Sequence, residues 1–465
     1  MPADHESWPI PVIGLLLCLA GLGGLLLAGA LARTLTLEEF AALVLTLALA
    51  RAGAALATGT GALPLLWGGA HPELAADLGW RRLRRATGAG LAALMAVGLG
   101  TLLTTGPLAG PLARIASESE FLAAAPLVGA LLILLALSRI VAGAQAAAGR
   151  HGLEHAYGPA SLFGGPVAVV IALAYLAGID LNGGGLDIVL ALGAIAVALA
   201  LAGSVGAVLA GGEMGRSAPA PRAPPDEDRL ACLALALLAS LLSLAEVAIL
   251  LIKGDFAGLA RVGAGLMLIL AVLSPIGVAH GCIAPFIRSL TGYGEIAMIE
   301  RLARAASTAA ALVSLLALLP VALMPETVLT AIFGEAYRGA APFVLALVPG
   351  CLVVLAGGGA LSVLAAMGRQ TSALALVTLG AGLGAGLGWF AIGPFGLAGL
   401  GLALSAGLAV STLTANAVLF ARFGLRSAVY VSPRMIGASA AALLDELMRL
   451  WPARGMRADV PLDHG

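Results

Sequence analysis

Charge is what this sequence has least of. Only 11% of its 465 residues are Asp, Glu, Lys or Arg, against about 25% in an ordinary soluble domain, too few to clothe a water-exposed surface. Acidic and basic residues are equal in number, at 25 each, so the chain lacks the net positive field of a nucleic-acid binder, and no nucleic-acid partner is expected. Cysteine is scarce too. Cys18, Cys232, Cys282 and Cys351 lie far apart in apolar segments, which excludes a disulfide framework and offers no zinc spacing. No nucleophile–base grouping, metal-ligand cluster or Walker lysine motif occurs. The glycine string Gly380-Ala-Gly-Leu-Gly-Ala-Gly386 has neither the preceding strand nor the acidic partner of a nucleotide site, and reads as helix-packing surface. The expectation is a non-enzyme with no catalytic residues, no metal and no cofactor.

What the sequence has instead is oil. Hydrophobic residues make up 60% of the chain and the mean hydropathy is +1.04. Apolar runs of about 20 residues recur, the length that crosses a ~30 Å hydrocarbon core. Without strand-like alternation, helices are the spanning structure that satisfies the backbone. Glycine contributes 63 residues, and small residues let membrane helices approach closely. The fold class is therefore an all-α polytopic membrane protein.

Twelve spans are expected, near 9–32, 37–66, 86–105, 121–148, 158–178, 186–210, 230–252, 259–284, 304–324, 339–366, 372–392 and 397–421. Met1 to Trp8 holds no Lys or Arg, so the first apolar segment reads as an uncleaved span rather than a signal peptide. The basic residues set the orientation. With the N-terminus cytoplasmic, eighteen fall in inside segments and the tail, and five (Arg33, Arg114, Lys253, Arg261 and Arg338) in outside loops and their edges. Both termini and the central linker are then cytoplasmic.

The two halves resemble each other. Glu39-Phe-Ala-Ala-Leu43 opens the second span and Asp255-Phe-Ala-Gly-Leu259 the eighth, while Arg82-Leu-Arg-Arg-Ala86 and Arg301-Leu-Ala-Arg-Ala305 lead into the third and ninth. Six spans per half give the repeats one orientation, related by a pseudo-two-fold axis along the membrane normal. The expected divisions are a six-helix lobe at 1–210, a Pro- and charge-rich linker at 211–229, a second six-helix lobe at 230–421 and a cytoplasmic tail at 422–465. Amphipathic stretches at 72–85, 289–304 and 434–451 suit helices lying in the inner interface.

Ionisable residues at membrane depth are few, and each needs a cavity or a partner. Arg51 lies in the second span and Arg139 in the fourth, giving the first half a positive interior that suits a phosphate or diphosphate, which arginine grips in bidentate fashion. Lys253 caps the seventh span. Glu246, within that span, suits proton or sodium coupling, or pairing with Lys253 or Arg51. His280 in the eighth span is a proton site or a hydrogen-bonded bundle histidine. Prolines recur inside spans, and Thr58-Gly-Thr-Gly-Ala-Leu-Pro64 and Ser274-Pro275 mark expected breaks in matching helices.

Several motifs resemble those of a known family. Leu25-Leu-Leu-Ala-Gly-Ala-Leu-Ala-Arg-Thr-Leu-Thr-Leu-Glu-Glu-Phe40 is similar to the first-span signature of polysaccharide flippases. Ser243-Leu-Ala-Glu246 with Lys253-Gly-Asp-Phe-Ala-Gly258 is similar to their second-lobe opening. Ile332-Phe-Gly-Glu-Ala-Tyr-Arg-Gly-Ala-Ala-Pro342, Leu364-Ala-Ala-Met-Gly-Arg369 and Phe395-Gly-Leu-Ala-Gly399 resemble the family's later turns. The resemblance is to the O-antigen/exopolysaccharide flippases, in the superfamily that also holds multidrug and toxic-compound exporters. It implies a multi-pass protein of the bacterial inner membrane, moving a polyprenyl-diphosphate-linked oligosaccharide to the periplasmic leaflet by alternating access. It implies Arg51, Arg139 and Lys253 around the diphosphate, Glu246 or His280 coupled to a sodium or proton gradient, and glycan polymerase components as further partners. The alternative is a drug/cation antiporter of the same superfamily. That branch usually carries an acid in the first span, and this chain has none there.

Overall fold

The computed structural model describes residues 10–58, 130–138, 166–181, 188–211 and 244–430, with single helical positions at 141 and between 234 and 242. The central linker, the tail beyond Tyr430, Arg139 and the stretches at 72–85 and 434–451 lie outside the described residues. Every regular element described is helical: α1 (Ile10–Thr34), α2 (Leu37–Thr58), α3 (Pro166–Leu181), α4 (Ile188–Gly211), α5 (Ala245–Lys253), α6 (Phe256–Gly292), α7 (Ile296–Leu323), α8 (Pro325–Phe333), a 3-10 turn (Glu335–Ala340), α9 (Ala341–Gly357), α10 (Ala360–Ala366) and α11 (Gln370–Phe423). Among the described residues, five helical stretches are long and apolar enough to cross a membrane. The chain is a multi-pass membrane protein.

Local chemistry sets the helix ends. α2 opens on a capping box: the Thr36 amide donates to the Glu39 carboxylate at 2.7 Å, and the Glu39 amide donates back to the Thr36 hydroxyl at 3.3 Å. α6 opens on Asp255, whose carboxylate accepts from the Gly258 amide at 2.7 Å. Between α5 and α6 the chain reverses at Gly254, which takes the left-handed conformation (φ 71°) that closes a Schellman turn. The two helices that open on matching residues, α2 and α6, pack against each other.

Three expected boundaries shift. The stretch at 289–304 is no separate interfacial helix, because α6 continues to Gly292 and α7 begins at Ile296, so those residues end one long helix and begin the next. The tenth span breaks at Gly358 (φ 66°) into α9 and α10. α6 runs on through Ser274-Pro275, where the Ser274 hydroxyl donates to the Ala271 carbonyl at 2.8 Å. The eleventh and twelfth spans meet at Gly396 inside α11, where φ 57° and ψ −141° reverse the chain just after Pro394.

Candidate functional site

The halves of the chain meet along α6, which packs against both α1 and α2. The approach is close because glycines stand where the helices touch. A Cβ on Gly263 would lie 2.5 Å from Val44 Cγ2, and one on Gly29 only 2.8 Å from the Ile332 carbonyl oxygen. Val44 and Gly263 each sit two turns inside the start of its helix, so α2 and α6 run level with each other.

Polar and aromatic residues close the end of this seam that holds Thr34 and Lys253. The Arg33 guanidinium donates from Nε to the Ile332 carbonyl at 3.1 Å and from Nη2 to the Ala331 carbonyl, placing a cation on the C-terminal carbonyls of α8. Tyr337 of the 3-10 turn is 1% exposed. Its ring meets Phe40 of α2 edge-on at 5.3 Å and Phe333 at 5.8 Å. Arg261 of α6 lies against the same turn, its Nε 3.0 Å from where a Gly339 Cβ would stand. Arg261 Nε and Tyr337 Oη are buried without a hydrogen-bond partner among the described residues, a cost of about 1–3 kcal/mol each. Replacing Arg33 with alanine should weaken the closure by about 1 kcal/mol, roughly fivefold. Faster reaction of a Tyr337→Cys thiol with an impermeant maleimide would report it.

Deeper in the bundle, the ionisable residues separate by depth. At 1.5 Å per residue, Glu246 lies about 10 Å from the Lys253 end, Arg51 about 21 Å along α2, and His280 about 36 Å along α6, near the opposite end. Glu246 is 8% exposed and is the one buried carboxylate among the described residues. Among them it forms no ion pair with either Lys253 or Arg51, the described pairs being those of Arg304 and Arg338. The exposed Lys253 ammonium instead sits 5.7 Å from the Trp389 ring centre. Arg51 is half-buried. By helix rise, Arg51 and Lys253 thus stand about 20 Å apart in depth along the bundle.

His280 ties three elements together. Its Nε2 accepts from the Gly359 amide at 3.1 Å, which requires a lone pair on that nitrogen, and lies 2.9 Å from the Ser307 hydroxyl. The break between α9 and α10 is thereby anchored to α6 and α7. Around it the chain after α11 folds back. The Ser427 hydroxyl donates to Asn416 Oδ1 at 2.9 Å, the Val429 amide to the Ala356 carbonyl at 3.1 Å, and the Tyr430 amide to the Thr308 hydroxyl at 3.0 Å.

Sequence reasoning does not single out Arg33, Arg261 or Tyr337 as site residues. It marks Arg33 and Arg261 as loop-edge charges, and Arg33 and Tyr337 as parts of family-like motifs. An available signal is the small-residue register of Gly29, Gly263 and Gly339 beside them, which demands close neighbours.

No family model matches the chain, and no curated protein does. Solved structures do. A MATE multidrug transporter, DinF-BH, solved as a ligand complex, aligns at TM-score 0.56 and 15% identity, covering 90% of this chain and 97% of that one. An outward-facing multidrug resistance MATE family transporter of the MOP superfamily aligns at TM-score 0.51 and 16% identity over 95% and 96% of the two chains. An inward-facing one aligns at TM-score 0.51 and 14% identity over 96% and 97%. The chain has the fold of the MATE transporters of the MOP superfamily.

Proposed function

We propose that the protein is an ion-coupled secondary transporter that exports amphiphilic organic cations by alternating access. In this reading it sits in the bacterial inner membrane with both termini cytoplasmic. Residues 1–210 and 230–421 form two lobes of like design, tied by the linker at 211–229 and followed by the tail at 422–465. The observation that carries the proposal is Glu246, a carboxylate buried at membrane depth beside the seam-forming helix α6. A buried carboxylate is retained there when it exchanges a proton or sodium ion, or receives a cationic substrate. The first span lacks an acid, so the coupling role falls to Glu246. The seam between α1, α2 and α6 then forms the outer gate, and the His280–Ser307–Gly359 junction braces the inner end. Solved relatives of this fold named as multidrug transporters, in outward- and inward-facing conformations, support the class of substrate and the cycle.

The second reading is translocation of a polyprenyl-diphosphate-linked oligosaccharide, favoured by Arg51 and the flippase-like motifs. Arg51, with Arg139, would hold the diphosphate at mid-membrane, and Lys253 would meet it only near the outer end. The readings part on phenotype. Overproduction should raise resistance to cationic dyes and deletion should leave surface glycan display intact. Arg51→Gln, inserted at wild-type levels, should retain most of the dye resistance. Loss of glycan display on deletion or on Arg51→Gln, with no dye phenotype, would replace the first reading with the second.

A further inference from the structure

The geometry points to a binding site for the headgroup of an anionic phospholipid at the His280 end of the second half. We propose that the lipid's phosphate seats between Arg304 and Arg426, and that one acyl chain runs along α11. The site is a cavity of about 600 Å³ formed by α7, α9, α11 and the folded-back segment after Phe423, with Arg304, Arg426, Asn416, Val353, Leu413 and Phe420 among its walls. It is built rather than incidental. The Arg304 Nε donates to the Ala428 carbonyl at 3.1 Å, its Nη1 lies 3.4 Å from the Glu300 carboxylate, and its guanidinium stacks 3.9 Å over Tyr430. Leu425 and Ser427 are fully buried, pinning the floor.

Two features select the ligand. The first is charge. Described side chains at this end include Arg301, Arg304, Arg369, Arg422 and Arg426 against Glu295 and Glu300, and the Arg426 guanidinium makes no hydrogen bond or ion pair with a described residue, resting 5.3 Å over Phe420. Basic pockets between membrane helices take phosphate headgroups. The second is the lane leading into the pocket. On α11, positions 402, 406, 409, 413, 417 and 420 recur at helical spacing and are all exposed or half-exposed, with Leu402, Leu413 and Phe420 above 50%. An apolar stripe on a spanning helix that ends at an arginine pair has the dimensions of an acyl chain joined to its phosphate.

Binding is read independently of transport, so its outcome stands apart from the proposed function. Native mass spectrometry of the full-length protein, titrated with short-chain phosphatidylglycerol or phosphatidylcholine, should show preferential retention of phosphatidylglycerol. Arg304→Gln would also loosen the segment around Ala428, so Arg426→Gln is the cleaner variant: the Arg426 guanidinium rests on Phe420, and the residue's link to Glu300 runs through the backbone amide, which the substitution keeps. It should cut the phosphatidylglycerol preference about fivefold, the factor that corresponds to ~1 kcal/mol per basic residue at a membrane surface. Millimolar inorganic phosphate should leave retention unchanged. Equal retention of both lipids, an unchanged preference in Arg426→Gln, or displacement by phosphate alone would overturn the assignment.

Discussion

Leucine at position 263 is expected to hold the outer gate open. A Cβ there already stands 2.5 and 2.9 Å from the two Val44 methyls, so a full leucine side chain forces α2 off α6. Overpacking of this kind costs about 1–3 kcal/mol, and because the clash exists only where the helices touch, the cost falls on the closed state. The closed-to-open ratio should drop by about 5- to 150-fold. Leu47 is the reporter: it lies on the Phe40 and Val44 face of α2 and is fully buried. In a protein whose four cysteines are replaced by alanine, the thiol of Leu47→Cys should react correspondingly faster with an impermeant maleimide once Gly263→Leu is added. Gly193→Leu is the control, since a Cβ there meets nothing within 4 Å, and it should leave the rate unchanged. An unchanged rate in Gly263→Leu would show that α2 and α6 do not part along this line.

The second large effect is on coupling. Glu246→Gln keeps size and hydrogen-bonding capacity but can neither exchange a proton nor offer sodium a negative charge. If Glu246 joins ion to substrate, the change removes a coupling free energy of about 1–3 kcal/mol, a 5- to 150-fold effect of the ion on substrate affinity. Purified wild type should bind a fluorescent cationic dye with an affinity that shifts with pH or sodium, and Glu246→Gln should bind with an affinity that does not. The linkage is reciprocal, so dye should also displace protons or sodium from the wild type and none from the variant. A variant that keeps the full ion dependence would move the coupling site elsewhere. A Glu246→Asp variant that restores it would tie the effect to the carboxylate itself.

The membrane fold is legible in the sequence because composition decides it: with so few charges and repeated apolar runs, helices that satisfy their own backbone are the physical solution. The turns are legible in part. Gly254 and Gly396 sit at reversals, and the Phe395-Gly-Leu-Ala-Gly399 turn falls where α11 kinks. The tenth-span break does not show, because Gly358-Gly359 lies in a run whose apolar composition continues on both sides. Nor does the continuity of α6 past Pro275, since a neighbouring hydroxyl and lipid-excluded packing sustain a proline-containing helix.

The candidate site is legible in kind and not in arrangement. Composition singles out Arg51, Glu246, Lys253 and His280, because any charge stands out against oil. It does not say which face of a helix looks at which neighbour. In α2 and α6 apolar residues cover every side, so the pattern carries no direction. The pairing of Glu246 with Lys253, suggested by two-turn spacing, gives way to the stacking of Lys253 on Trp389, a residue 136 positions later in the chain. Arg33 reaches across about 300 residues to α8, and only three-dimensional packing reveals such a tie.

Ion-coupled export is the central claim, and one measurement meets it most directly. Purified full-length protein in proteoliposomes, given a proton or sodium gradient of either sign, should move a cationic dye against its own gradient. The direction should reverse with the ion gradient, and Glu246→Gln liposomes should stay at the leak rate. Dye movement that ignores the gradient, or wild-type accumulation by Glu246→Gln, would contradict it.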